Sequence, residues 1–259
     1  MGKPRVAIFD FAGCEGDQLQ IVNLEEDLLS LLEHVDIVTW REGMKEESSQ
    51  YDIALVEGSC TRPSDEERLK KIRERAKIVV ALGSCATIGG INCLRNYKNM
   101  DEVRKYVYGD KADWFETYEA RPIDAVIPVD YYIPQCPINK KEFLYVMKCL
   151  LTGQKPKLCN NPVCVECKLA GNVCAFERGE FCLGPVTRGG CEACCITAGS
   201  VCWGCRGPVN NPNIDAHKEV LEKYGLTVEQ AMAKFQLYYG WTKKPKDGEV
   251  DVSALKEGK

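Results

Sequence analysis

Nine of the sixteen cysteines in this 259-residue chain lie between residues 164 and 205, and no other feature constrains the fold as tightly. Thiols at this density either form a disulfide framework or bind metal. A framework belongs to small secreted domains. Here the amino terminus, Met1-Gly2-Lys3-Pro4-Arg5, runs straight into the apolar residues 6–9. It has neither the apolar core and cleavage site of a signal peptide nor a twin-arginine pair. No apolar run approaches the roughly 18 residues of a membrane span. The expectation is a cytoplasmic protein whose thiols stay reduced and whose cysteines hold metal. The net charge of −4 and the lack of a basic block argue against a nucleic-acid partner.

The first 150 residues alternate short β-type runs with helical patterns. Strands are read at 6–9, 35–39, 53–56 and 78–82, with a fifth at 124–130 or 131–133. Helices are read at 19–33, where Ile21, Leu24, Leu28, Leu29 and Leu32 share a face, and at 140–151. A third is opened by Ser64-Asp65-Glu66-Glu67 as a capping box. The alternation predicts an α/β fold, a doubly wound parallel sheet of flavodoxin-like type over residues 1–153. Residues 154–212 are rich in Cys, Gly and Pro and have little periodicity, so they are expected to form an irregular domain that needs metal or a partner to become ordered. Residues 215–239 read as helical again, with Thr227-Val228-Glu229-Gln230 as a second capping box, and residues 243–259 as a charged, frayed tail; together 213–259 form a third segment.

Four of the remaining cysteines follow predicted strand ends: Cys14, Cys60, Cys85 and Cys136. Ligands of open α/β sheets bind beyond the carboxyl ends of the strands, so these four are predicted to converge. Four thiolates suit either zinc or an iron–sulfur cluster. Gly83-Ser84-Cys85-Ala86-Thr87-Ile88-Gly89 superficially resembles a phosphate loop but fits neither glycine-rich nucleotide pattern, so no nucleotide is predicted. In the second half, Cys164-x-x-Cys167 and Cys202-x-x-Cys205 each place two sulfurs toward one centre, with Cys174, Cys182, Cys191, Cys194 and Cys195 nearby. Two such pairs imply two centres, and spacing alone leaves zinc and iron–sulfur equally open.

These phrases together resemble the small subunit of nickel–iron hydrogenases, in the cytosolic branch that includes sulfhydrogenases. The resemblance is carried by Ala12-Gly13-Cys14, Val56-Glu57-Gly58-Ser59, Gly83-Ser84-Cys85-Ala86-Thr87-Ile88-Gly89-Gly90 and Gln135-Cys136-Pro137. Pro162-Val163-Cys164-Val165-Glu166-Cys167, Cys202-Trp203-Gly204-Cys205-Arg206-Gly207 and the highly specific Cys182-Leu183-Gly184-Pro185-Val186-Thr187-Arg188-Gly189-Gly190-Cys191 extend it to residue 207. It implies three 4Fe-4S clusters in a line. Cys14, Cys85 and Cys136 match ligands of a proximal cluster, Cys191, Cys195, Cys202 and Cys205 a medial one, and Cys164, Cys167, Cys174 and Cys182 a distal one. Where relatives with a 3Fe-4S medial cluster have proline, this chain has Cys195, which implies a full 4Fe-4S cluster. Many relatives also have histidine where Cys164 stands. The implied partners are a large subunit carrying nickel–iron and, on the acceptor side, a flavin/NAD(P)- or ferredoxin-type subunit. The alternative is an electron-transfer subunit of a redox complex that is not a hydrogenase.

The chain departs from that pattern in its first loop, where the family's C-x-x-C is Cys14-Glu15-Gly16-Asp17. The fourth proximal ligand is expected to be Cys60, with Asp17 as the rival, because a carboxylate is a harder and rarer ligand for iron–sulfur clusters. Cys149 is read as core, Cys93 and Cys159 as free thiols, and Cys194 as the alternative to Cys195, which the family spacing prefers. His34 and His217 are read as surface residues, and Arg188 and Arg206 as solvent-facing, with donation to cluster sulfurs as the alternative. Glu15 and Glu57 are read as loop-end carboxylates close enough to Cys14 and Cys60 for a hydrogen-bonding role.

Overall fold

The computed structural model describes residues 2–238, 240 and 241, which fall into two compact units, 1–156 and 157–259. The predicted tail at 243–259 lies outside the described residues.

The first unit is a five-stranded, all-parallel sheet in the order β2-β1-β3-β4-β5, the flavodoxin-like winding. Its strands are β1 (Arg5–Asp10), β2 (Asp36–Trp40), β3 (Ile53–Glu57), β4 (Ile78–Leu82) and β5 (Tyr131–Ile133). Central strands β3 and β4 are nearly continuous runs of Ile, Val, Leu and Ala, as a parallel sheet covered on both faces requires. On one face Ala54, Val56, Val79 and Ala81 pack with Leu69 and Ile72 of helix α3 (Pro63–Arg75). The register sets the functional edge. Asp10 is opposite Glu57, Glu57 opposite Leu82, and Leu82 opposite Ile133. The four strands therefore end along one line, and the loops beyond it carry the cysteines.

Several local expectations are corrected. The helix expected at 19–33 is two, α1 (Gly16–Val22) and α2 (Glu26–Leu32), interrupted where Glu25 adopts a φ of 55°. The capping box at Ser64 does not form. Helix α3 starts at Pro63, whose missing N–H costs nothing there, and Asp65 instead accepts from Thr61 N at 3.1 Å and Thr61 Oγ1 at 3.3 Å. The fifth strand takes the later of the two predicted positions, while Ile123–Ala125 forms a single 3-10 turn. Helix α4 (Gly83–Ile88) follows β4 directly, and a 3-10 segment (Gly90–Tyr97) and helix α5 (Met100–Tyr108) precede β5. Helix α6 (Lys140–Leu151) has the predicted bounds.

The second unit is less regular, with short helices α7 (Val163–Leu169) and α8 (Cys194–Thr197), and two longer ones, α9 (Ile214–Lys223) and α10 (Val228–Phe235). The capping box at Thr227 does form: Thr227 Oγ1 accepts from Gln230 N at 3.2 Å, and Gln230 Oε1 accepts from Thr227 N at 3.1 Å. Rich though its sequence is in Cys, Gly and Pro, this unit builds an apolar core. Val163, Phe176, Phe181, Leu183, Val186, Ile196 and Val201 pack together with Leu221 of α9. Cys167, Cys182 and Cys202 are members of that same core. No described helix is long and apolar enough to cross a membrane.

Candidate metal centres

Cys60, Cys85 and Cys136 each lie three residues beyond the aligned strand ends, and Cys14 four beyond. The fold nevertheless brings together only three of the four. Burial first, and then the nearby Cys136, Asp17, Cys14 and Glu57, push the Cys85 thiol up to about 12. Those charges belong to one cluster of side chains. Asp17, in the first turn of α1, spans the loops. Its Oδ1 accepts from Ile138 N at 2.8 Å, just after Cys136, and a Cβ on Gly83 would fall 1.7 Å from its Oδ2. Only glycine fits there, and its φ of +80° makes the same demand. Burial, followed by the charge of Glu57, raises the Asp17 carboxyl to about 7. Glu57, the last residue of β3, is itself buried and accepts from the amides of Asp17 at 3.3 Å and Gln18 at 3.2 Å, fixing the start of α1. Asn92, which sequence reading passed over, donates to Ala12 O at 2.7 Å and Ser59 Oγ at 2.8 Å, and lies 3.8 Å from Cys85 Sγ.

Cys60 is held elsewhere. Its side chain is 0% exposed and belongs to the α3-facing core with Phe11, Val56 and Leu69. Its Sγ lies 3.0 Å from Tyr118 Oη, which donates to Glu66 Oε1 at 2.8 Å, and its thiol is raised chiefly by burial. The reason is parity. After β3 the chain stays extended, Ser59 bridging Ala12 and Cys60 bridging Arg121. Consecutive side chains in extended backbone point to opposite sides, so Ser59 faces Asn92 and Cys60 faces away.

In the second unit, α7 carries Cys164 and Cys167 one helical turn apart. Burial, then Cys182, Cys167 and Cys174, push the Cys164 thiol up to about 12, so this set of four shares one environment. Gly184 lets two of them close over it: a Cβ there would stand 3.3 Å from Cys164 Sγ and 3.4 Å from Cys182 Sγ. Cys182 Sγ accepts from the amides of Gly184 and Cys202, each at 3.4 Å, donors that favour a thiolate.

The second C-x-x-C lies beyond. Burial raises the Cys202 thiol, with nearby Cys182 and Cys205 adding to it. Cys191, Cys194 and Cys195 surround Ala193, whose φ of 50° ends the loop and begins α8. The Cys191 and Cys195 thiols are each raised to about 11, chiefly by burial. Arg206, read from sequence as solvent-facing, is 2% exposed and donates from Nε to Gly189 O at 2.7 Å. Arg188 holds Pro208 O at 3.3 Å and Asn210 Oδ1 at 2.7 Å. His217 is likewise not a surface residue. It is 3% exposed, sits beside the rings of Phe176 and Phe181, and burial lowers it to about 4. His34 is exposed, and Cys149 is buried on α6. Cys93 is buried, with its Sγ 3.3 Å from Ala120 O.

Raised thiols in groups, with glycine and amide groups against the sulfurs, form a donor set that a cationic centre would discharge. Among the described residues, no three His, Cys, Asp or Glu side chains converge closely enough to share a single metal ion.

Comparison with known proteins agrees with this chemistry. The family model of the NADH ubiquinone oxidoreductase 20 Kd subunit matches residues 14–150. Sulfhydrogenase 2 subunit delta of Pyrococcus furiosus is 34% identical over 239 residues, covering 92% of this chain and 100% of that one. A vhu subunit of the F420-non-reducing hydrogenase of Methanocaldococcus jannaschii is 35% identical over 235 residues, covering 78% of this chain and 81% of that one. Among solved structures, a chain of an NAD+-reducing [NiFe]-hydrogenase in the H2-reduced state superposes with a TM-score of 0.56 and 28% identity, covering 60% of this chain and 95% of that one.

Proposed function

This chain belongs to the NADH ubiquinone oxidoreductase 20 Kd subunit family and, within it, to the small subunits of nickel–iron hydrogenases, and from that premise we infer how its cysteines are used. It is the iron–sulfur, electron-transfer component of an oxidoreductase whose hydrogen chemistry takes place in a large subunit. The finer reading is that this chain holds three 4Fe-4S clusters and relays electrons from the large subunit to a flavin/NAD(P)- or ferredoxin-type partner. The solved relative is an NAD+-reducing enzyme, which supports the first kind of acceptor.

One observation carries this reading: Cys85 shares its surroundings with Cys136 and Cys14 beyond the strand ends, and Cys164 shares its own with Cys182, Cys167 and Cys174. Cys14, Cys85 and Cys136 would hold the proximal cluster, with Asp17 as fourth ligand. Asp17 shares the surroundings of Cys85, while Cys60 is bonded to Tyr118. Cys164, Cys167, Cys174 and Cys182 would hold the distal cluster, and Cys191, Cys195, Cys202 and Cys205 the medial one. Each cluster supplies one-electron storage at a potential set by ligand type, hydrogen bonds and burial. The chain itself need supply no acid, base or nucleophile; its residues orient the thiolates, donate amides to sulfur and exclude water.

The test is to purify the native complex anaerobically and follow its paramagnetic signals under hydrogen. Three iron–sulfur signals that hydrogen reduces, with nickel in a larger co-purifying chain, are expected. Iron–sulfur signals that hydrogen leaves oxidised, in a complex without nickel, would place this chain in a redox complex that is not a hydrogenase.

A further inference from the structure

The second residue between the cysteines of Cys164-Val165-Glu166-Cys167 reaches into the neighbouring ligand loop. From α7, Glu166 Oε1 accepts from Gly190 N at 2.5 Å, and its Oε2 accepts from Ala193 N at 3.3 Å. The same Oε2 lies 3.8 Å from Cys191 Sγ. On its other side this loop is held by the Arg206 bond to Gly189 O. Residues 189–193 are therefore clamped between an anion from the first C-x-x-C and a cation that directly follows the second. The Cys191 sulfur is a thiol in this geometry and stands for the iron-bound thiolate of the loaded protein. A thiolate cannot donate to the carboxylate, so the contact becomes one between two negative groups. Such a contact disfavours adding an electron to the attached centre.

We propose that Glu166 is a positioning residue shared by two centres: its carboxylate fixes the loop that presents Cys191, and its charge holds the centre Cys191 serves at a lower reduction potential than the thiolates alone would give. This rests on the ligand assignment proposed above. It also gives the helix that carries two ligands of one centre a direct grip on a ligand of the next.

Glu166→Gln keeps one oxygen for Gly190 N and turns an amide N–H₂ toward Cys191, which converts repulsion into a hydrogen bond. The experiment is a redox titration of the anaerobically purified complex followed by paramagnetic resonance, with iron counted in each variant. In Glu166→Gln, one centre, identified as the one perturbed by Cys191→Ser, is expected to titrate at a more positive potential while the other two stay put. Glu166→Asp keeps the charge but withdraws it by one methylene, so the same centre should move in the same direction by less; this variant carries the test if the first does not assemble. Exposed Glu177, in the 3-10 turn Ala175–Arg178, serves as control, and Glu177→Gln should move nothing. Unchanged potentials in iron-replete Glu166→Gln, or an equal shift in Glu177→Gln, would overturn the proposal. A native complex without three centres would instead overturn the ligand assignment, before any variant is made.

Discussion

In the sheet unit, Cys14, Cys85 and Cys136 stand beyond the ends of strands whose core of Ala54, Val56, Leu69, Val79 and Ala81 closes without them. In the second unit, Cys167, Cys182 and Cys202 pack inside the core beside Val163, Phe181 and Leu183. The first scaffold is built from strand pairing and aliphatic burial, with ligands added at its edge. The second has short helices and depends on its ligand residues for packing as well as for binding. Metal should therefore be dispensable for folding the first unit and necessary for the second.

The largest expected effect follows from that contrast. Anaerobic removal of iron by a chelator should leave a protease-resistant fragment ending near residue 156, while residues 157–241 are cleaved. Equal protection of both units, or their joint loss, would break the comparison. A smaller, one-site effect is expected from Gly83→Ala, whose new Cβ would meet Asp17 Oδ2 at 1.7 Å. It should remove about four irons of about twelve and leave the signals of the other two centres in place.

The acid sensitivity of the two units should also differ. His217 is lowered by burial from 6.5 to about 4, so the unfolded chain binds a proton before the folded one does. Stability from this group is therefore complete above pH 6.5 and is lost as pH falls toward 4, by about 3 kcal/mol at most. Thermal melts of the second unit between pH 6.5 and 4 should show that loss, and His217→Phe should flatten it. The smallest effect is predicted for Cys60→Ser. Because Cys60 is bonded to Tyr118 and set in the aliphatic core, the variant should keep its full iron content at a modest cost in stability, roughly 1 kcal/mol. Asp17→Asn, by contrast, should alter the proximal signal. The opposite pair of results would restore Cys60 as the ligand.

The sheet was legible because parallel strands buried on both faces read as unbroken apolar runs, as in residues 53–56 and 78–82. The strand-end rule likewise led to Cys14, Cys85 and Cys136. It failed to separate Cys60 from them, since counting residues past a strand does not say which way an extended chain turns its side chains. Composition also understated the second unit, because Leu221 is far in sequence from Phe176 and Phe181 and meets them only when α9 folds back. Burial of His217 and Arg206 was hidden for the same reason: a polar residue gives no sign in sequence of the neighbours that enclose it. Glu166 looked like a spacer between two ligands, and only the position of the 189–193 loop shows what its carboxylate holds.

The central claim, that these cysteines hold three iron–sulfur clusters, is tested most directly by counting iron, acid-labile sulfide and zinc per chain in anaerobically purified native protein. The account predicts about twelve irons and about twelve sulfides, with zinc absent. Stoichiometric zinc with little iron would contradict it.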